Sequence, residues 1–121
     1  MLCDTNILIE FLKRDPAAVD IIFRLRYENQ SVFISVVTAT ELLAYPDITA
    51  TEYTRITDFI NSLTALPVTM SIAHHAALLK RRHGLALGDS LIAATALVHN
   101  LPLLTRDKEL LRLKEIEVRS L

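Results

Sequence analysis

Short apolar runs alternate with helical patterns from one end of the chain to the other. Met1–Cys3 reads as the stub of a strand. Ile7, Leu8, Phe11 and Leu12 then follow the i, i+1, i+4, i+5 spacing of a helix with one buried face, predicted to run to about Arg14. Asp15-Pro16 is an N-cap with proline at the first helical position, and it opens a helix to about Tyr27 with Val19, Ile22 and Leu25 on one face. Ser31–Val36 (SVFISV) is β-branched and aromatic and predicts a strand. A short helix is expected from near Thr38 to just before Pro46. Tyr53, Ile56, Ile60 and Leu63 mark another amphipathic helix.

Further on, Pro67–Thr69 reads as a short strand, and Ser71 as the cap of a helix that Gly84 closes. Leu91 to Val98 is a near-continuous apolar helix that stops at Asn100. Leu103–Thr105 predicts a strand, Lys108–Leu113 a helix and Ile116–Val118 a last strand. Strands alternating with helices imply right-handed βαβ units, and so a parallel sheet with helices on both faces. In such sheets ligands bind beyond the carboxyl ends of the strands.

There is no internal repeat, low-complexity run or linker, and 121 residues suit one domain over residues 1–121. Hydrophobic residues make up 51% and mean hydropathy is +0.34, a surplus that doubly buried strands or an apolar oligomer interface would use. No apolar stretch reaches the ~20 residues of a membrane span. The start lacks the pattern of a secretory signal. One cysteine, Cys3, excludes an internal disulfide and suits a reducing compartment, so a cytoplasmic protein is expected. Cys3 itself reads as a small buried strand residue. A net charge of −1 makes the molecule no magnet for nucleic acid, so any such contact needs local basic patches or bound cations. With only Gly84 and Gly88, neither a Walker loop nor a Gly-rich dinucleotide turn is possible.

Asp4-Thr5-Asn6 interrupts an otherwise apolar start. Any one of the three could cap the following helix, and one cap would suffice. Asp4 follows the first strand, Glu41 is expected in the first turn of the helix after SVFISV, Asp89 opens the helix of LGDSLIAATAL, and Asp107 follows the strand of LLTRD. Each has an ordinary local role. Thr38-x-x-Glu41 has the form of a capping box, and acids near a helix N-terminus gain about 0.3–1 kcal/mol from the dipole. Jointly they point further, because Glu41 and Asp89 lie in apolar stretches, where charge is placed only when paired or bound to metal. A set of hard oxygen ligands without thiolates suits Mg²⁺ or Mn²⁺ rather than zinc. Such an ion could neutralise a phosphodiester and acidify a water.

Asp4-Thr5-Asn6-Ile7-Leu8-Ile9, Thr38-x-x-Glu41, Gly88-Asp89-Ser90-Leu91-Ile92-Ala93-Ala94-Thr95-Ala96 and Leu104-Thr105-Arg106-Asp107 together resemble the PIN-domain ribonucleases, and most of all the VapC-type toxins of toxin–antitoxin pairs. The resemblance runs over essentially the whole chain. It implies a three-layer α/β/α sandwich on a mostly parallel five-stranded sheet. Asp4, Glu41, Asp89 and Asp107 would be the catalytic acids around Mg²⁺ or Mn²⁺, with Asn6 and Thr105 as polar helpers. It also implies an endoribonuclease acting on single-stranded or looped RNA, often a tRNA, as a homodimer silenced by a cognate antitoxin.

Other readings stay open at this level. A phosphatase-like domain needs a second aspartate where Asn6 stands, and a receiver-like domain needs a late-strand lysine where only Lys108 offers itself. A non-catalytic RNA- or antitoxin-binding module is the third. His74-His75 are expected on a solvated face, since adjacent helical positions point about 100° apart. Lys80-Arg81-Arg82-His83 favours the dipole of a helix C-terminus. Lys13, Arg14, Arg24, Arg26 and Arg106 are candidate phosphate contacts. Tyr45, Tyr53 and Phe59 are expected in the core or an interface rather than as stacking platforms.

Overall fold

Five short strands pair in parallel in the order β3-β2-β1-β4-β5, in a computed structural model that describes residues 1–121. The elements are β1 (Leu2–Cys3), α1 (Thr5–Leu12), α2 (Pro16–Tyr27), β2 (Phe33–Ser35), α3 (Val36–Leu43), α4 (Ala50–Asn61), β3 (Thr64–Leu66), α5 (Met70–His83), α6 (Leu87–His99), β4 (Leu103–Leu104), α7 (Lys108–Leu111) and β5 (Val118–Arg119). The register is set by Leu2 opposite Phe33 on one side and Leu103 on the other. The resemblance to a parallel five-stranded α/β/α sandwich holds.

The layers follow from side-chain alternation along strands only two or three residues long. Leu2 and Leu103 turn to one face and pack with Ile72, Ala76 and Leu79 of α5 and Ile92, Ala93 and Ala96 of α6. Cys3, Ile34 and Leu104 turn to the other and meet Ile7 and Leu8 of α1, Ile22 and Leu25 of α2 and Leu42 of α3. Leu2, Cys3, Ile34, Leu103 and Leu104 are all essentially without solvent exposure, as strands buried on both faces require. Cutting Leu2 back to alanine would cost about 2–5 kcal/mol.

Several predicted boundaries move, each for a local reason. The SVFISV strand is cut to Phe33–Ser35 because Ser35 Oγ accepts the Val37 N–H at 3.0 Å and caps α3. That helix therefore begins at Val36, ahead of Thr38, so Glu41 lies in the second turn and no capping box forms. The third strand is Thr64–Leu66 rather than Pro67–Thr69, since Pro67 has no N–H to give a ladder. Thr69, not Ser71, caps α5 by accepting the Ile72 N–H. Leu113 lies beyond α7, and the last strand is Val118–Arg119. Asp15 caps α2 with Pro16 at N1, as expected. Gly84 ends α5 at φ 67, where a Cβ would be strained.

Chain direction across the sheet reverses at β1. The chain moves from β1 outward to β2 and β3, then returns through α5 and α6 to β4 and β5 on the other side of β1. The crevice beyond the carboxyl ends of β1 and β4 is thus the switch point, where open α/β sheets bind ligands.

Candidate active site

Asp4 is the first residue past β1 and stands in that crevice. It caps α1 after all, with Oδ1 accepting the Thr5 N–H at 2.8 Å, and it is 3% exposed. Its other oxygen is taken by Thr105, whose hydroxyl donates to Oδ2 at 2.7 Å. The Thr105 oxygen in turn accepts the Asp107 N–H at 2.9 Å, which fixes the turn after β4. Asp107 Oδ1 then caps α7 through Glu109 and Leu110. The two acids after β1 and β4 are thus linked through one fully buried threonine.

Glu41 reaches the same crevice from α3. The Thr5 hydroxyl lies 2.9 Å from Glu41 Oε1 and 3.0 Å from Thr38 Oγ1. Thr5 has one hydroxyl proton, and the carboxylate is the stronger acceptor. Thr5 therefore donates to Glu41, while Thr38 donates to Thr5. Glu41 is more exposed than its apolar flanks suggest. The start of α6 closes the remaining side, for a Cβ placed on Gly88 would lie 3.8 Å from Glu41 Oε1. Asp89 sits in the first turn of α6, half-buried, where the helix cap is Ala86 without a side-chain bond. It is therefore no N-cap, and its carboxylate makes no hydrogen bond with the protein.

Burial raises the Asp4 carboxyl above its usual range, against the lowering bonds from Thr105 and Thr5, and the charges of Asp107 and Glu41 raise it further. Asp89 is pushed up to about 6, first by burial and then by Asp4, Asp107, Glu41 and Glu109. Each acid feels the field of the others, yet none of the four has a lysine, arginine or histidine within salt-bridge distance. That is an unmet demand for positive charge. No three of these side chains close on one point as a formed ligand cage. In kind, however, the set is all oxygen and anionic, and it fits a hard divalent cation.

Of the six residues predicted for the site, five meet here. Asn6 is the exception: it is exposed on α1 and its side chain has no partner. Sequence reasoning read Thr5 only as a possible cap and Thr38 only as part of a capping box. Their role as supports of Glu41 depends on a contact between α1 and α3 across 36 residues, which no local spacing encodes. Among the basic residues, Arg106 pairs with Glu10 at 2.7 Å and Asp15 at 3.5 Å, tying the turn after β4 to α1 and α2. Arg24 pairs with Asp20. Lys80 donates to the Leu85 carbonyl at 2.8 Å, in the turn just past the end of α5. His74 and His75 are exposed, as expected of a solvated face. Burial lifts the Cys3 thiol to about 12, which leaves it inert. Phe59 packs on Phe11 at 4.9 Å, whereas Tyr45 and Tyr53 are about half exposed.

The family model of the PIN domain matches residues 1–116. The chain belongs to the PIN domain family. Among solved structures, this PIN domain is similar to a toxin–antitoxin complex from Klebsiella pneumoniae, at 25% identity and TM-score 0.81, covering 95% of this chain and 93% of that one. It is also similar to FitAcB from Neisseria gonorrhoeae, at 28% identity and TM-score 0.77, covering 97% and 94%. VapBC2 from Rickettsia felis, bound to a DNA fragment from its promoter, shares the fold at TM-score 0.85 and 18% identity, covering 99% and 97%. No curated protein matches the chain. The resemblance to PIN-domain toxins of the VapC type is borne out. Family membership places the chain among nucleases, hydrolases that act on nucleic acid, and sets aside the phosphatase- and receiver-like readings. PIN-domain nucleases generally use divalent metal ions. No helix of this one is long and apolar enough to cross a membrane.

Proposed function

We propose that residues 1–121 form a single PIN-like nuclease domain that hydrolyses RNA phosphodiester bonds with Mg²⁺ or Mn²⁺, as the toxin of a toxin–antitoxin pair. The observation that carries this reading is the group of four acids at the switch point, which repel one another and have no cationic partner. Asp4, Asp89, Asp107 and Glu41 would hold the cation. When bound, it would supply charge for the phosphodiester and acidify an attacking water. Thr105 keeps Asp4 aimed into the crevice, Thr5 does the same for Glu41, and Asn6 at the rim is free to meet a water or a substrate oxygen.

RNA as the substrate, with tRNA among the candidates, rests on the resemblance of the four motifs. An antitoxin partner is supported by the similar structures, which are described as toxin–antitoxin complexes or as VapBC. A homodimer is supported by apolar side chains left on the surface: Phe23, Met70 and Leu87 are each more than 60% exposed. A cytoplasmic location accords with the lone reduced cysteine.

The experiment is purified protein against total RNA with Mn²⁺, Mg²⁺ or EDTA, beside Asp4→Asn. Discrete fragments that require both the metal and Asp4 are expected. RNA binding that survives EDTA, with no cleavage in any metal, would make the protein a non-catalytic binding module.

A further inference from the structure

We propose a second site, for a phosphate-class oxyanion, at the end of the sheet opposite the acids. A cleft of about 290 Å³ opens between the start of β2 and the start of β3, where the last turn of α2 meets the turn after α4. Arg26, Ser31, Ser62 and Thr64 line it together with two side-chain amides, and no carboxylate does. An oxyanion is bound by a cation and neutral donors, and that is the lining here, with the Glu28 carboxylate outside it accepting from the Gln30 amide at 3.5 Å.

The backbone adds an independent observation. In the parallel ladder Val32 accepts from the Thr64 N–H, so its own N–H points toward the same strand. No protein atom accepts that N–H, although Val32 is only 6% exposed. Native proteins rarely leave such donors unpaired. A free N–H beside a guanidinium, with the Thr64 hydroxyl on the same lining, is a set of donors suited to anion oxygens. A bridging water could satisfy Val32 but would give Arg26 no role.

Arg26 is pre-placed for the task. One of its terminal nitrogens donates to Ser62 Oγ at 2.9 Å, and Ser62 Oγ donates onward to the Phe59 carbonyl at 2.6 Å. This holds the guanidinium over the cleft with its remaining N–H groups unused. Arg24, two residues earlier on α2, is by contrast paired with Asp20. The site stands on its own geometry and does not depend on the nuclease reading. Its ligand is either free phosphate or a phosphodiester of a nucleic-acid backbone.

The two sources are separated by ¹⁵N-correlated NMR in EDTA, with inorganic phosphate, with a short single-stranded oligonucleotide, and with chloride at matched ionic strength. Saturable movement of the Val32 amide is expected by about 50 mM phosphate, a weak small-anion affinity. In Arg26→Gln, binding should weaken by about tenfold, as expected for loss of a charged donor. Ser62→Ala, which removes only the support of Arg26, should weaken it less. Movement with phosphate but not oligonucleotide assigns free phosphate; movement with oligonucleotide at lower concentration assigns the backbone. Chloride matching phosphate, no saturable movement with either ligand, or unchanged binding in a folded Arg26→Gln would overturn the proposal.

Discussion

The Thr5 hydroxyl donates to Glu41 Oε1 at 2.9 Å, while the Thr5 backbone N–H donates to Asp4 Oδ1 at 2.8 Å. One residue thereby holds an acid from β1 and an acid from α3 in the same crevice. Thr5→Ser keeps both donors and should retain nuclease activity within a few-fold. Thr5→Val keeps only the backbone donor, releases Glu41, and should lose activity by tenfold or more, about 1.5 kcal/mol of a charged hydrogen bond. Equal cleavage rates for the two variants would show that Glu41 needs no such support.

Thr105→Val tests the other support. The substitution is nearly isosteric, but it leaves Asp4 Oδ2 buried without a donor. Unfolding in urea should show a loss of about 1–3 kcal/mol. Activity should fall further than stability at temperatures where the fold survives. A variant as stable as the parent would remove Thr105 from the account of Asp4.

Asp89 gives a pH signature. Its carboxyl is raised from 3.8 to about 6 in the folded chain, so folding disfavours its ionised form. The stability it contributes is therefore present below the unfolded pKa and is lost as pH rises through about 6. Asp89→Asn removes the charge and should melt higher than the parent in EDTA at neutral pH, with the gap closing toward about pH 4. A gap that stayed constant across this range, measured by thermal scans, would mean that Asp89 does not feel the neighbouring acids.

Divalent cation should reverse that order. A cation held by the acids favours their ionised forms, so Mg²⁺ or Mn²⁺ should raise the melting temperature of the parent and bring it level with Asp89→Asn or above it. At about a hundredfold excess over its dissociation constant, one bound ion stabilises by about 2.7 kcal/mol. The test is the same thermal scan with and without metal. Identical curves for the parent would argue against a cation at this site.

Arg106 joins Glu10 and Asp15 on the surface, and exposed pairs of this kind are worth about 0–1 kcal/mol. Arg106→Gln should therefore barely move global stability, yet it unties the turn that carries Thr105 and Asp107. Hydrogen exchange at the Asp107 amide, which donates to Thr105, should speed up while exchange in the β1 and β4 core stays unchanged. Unaltered exchange at Asp107 would show that the turn holds without the ion pairs.

What could be read from the sequence was whatever has a short-range cause. The proline at the start of α2, Gly84 in its left-handed cap and the apolar runs of β1 and β4 declare themselves within a few residues. Asp4 and Asp107 were legible because each sits at a strand–helix junction, and Glu41 and Asp89 because each interrupts an apolar helical stretch. The errors share a cause as well. Ser35 turns the chain into a helix within a run that looks entirely β-forming, and a side-chain cap outweighed the propensity of Val36 and Val37. Pro67 hid the real third strand by resembling its beginning. The supports of Glu41 were out of reach, because the meeting of Thr5 with Glu41 is a property of the packed layers.

The bond between Asp4 and Thr105 joins residues 101 positions apart. Closing so long a separation is among the later events a folding chain can complete. On the ribosome, Asp4 emerges first but cannot be held in its final pose until β4 has also left the exit tunnel. A nascent or truncated chain therefore carries three of the four acids in an unassembled state. This PIN domain, by this order of assembly, has no complete acidic site until β4 has joined the sheet beside β1.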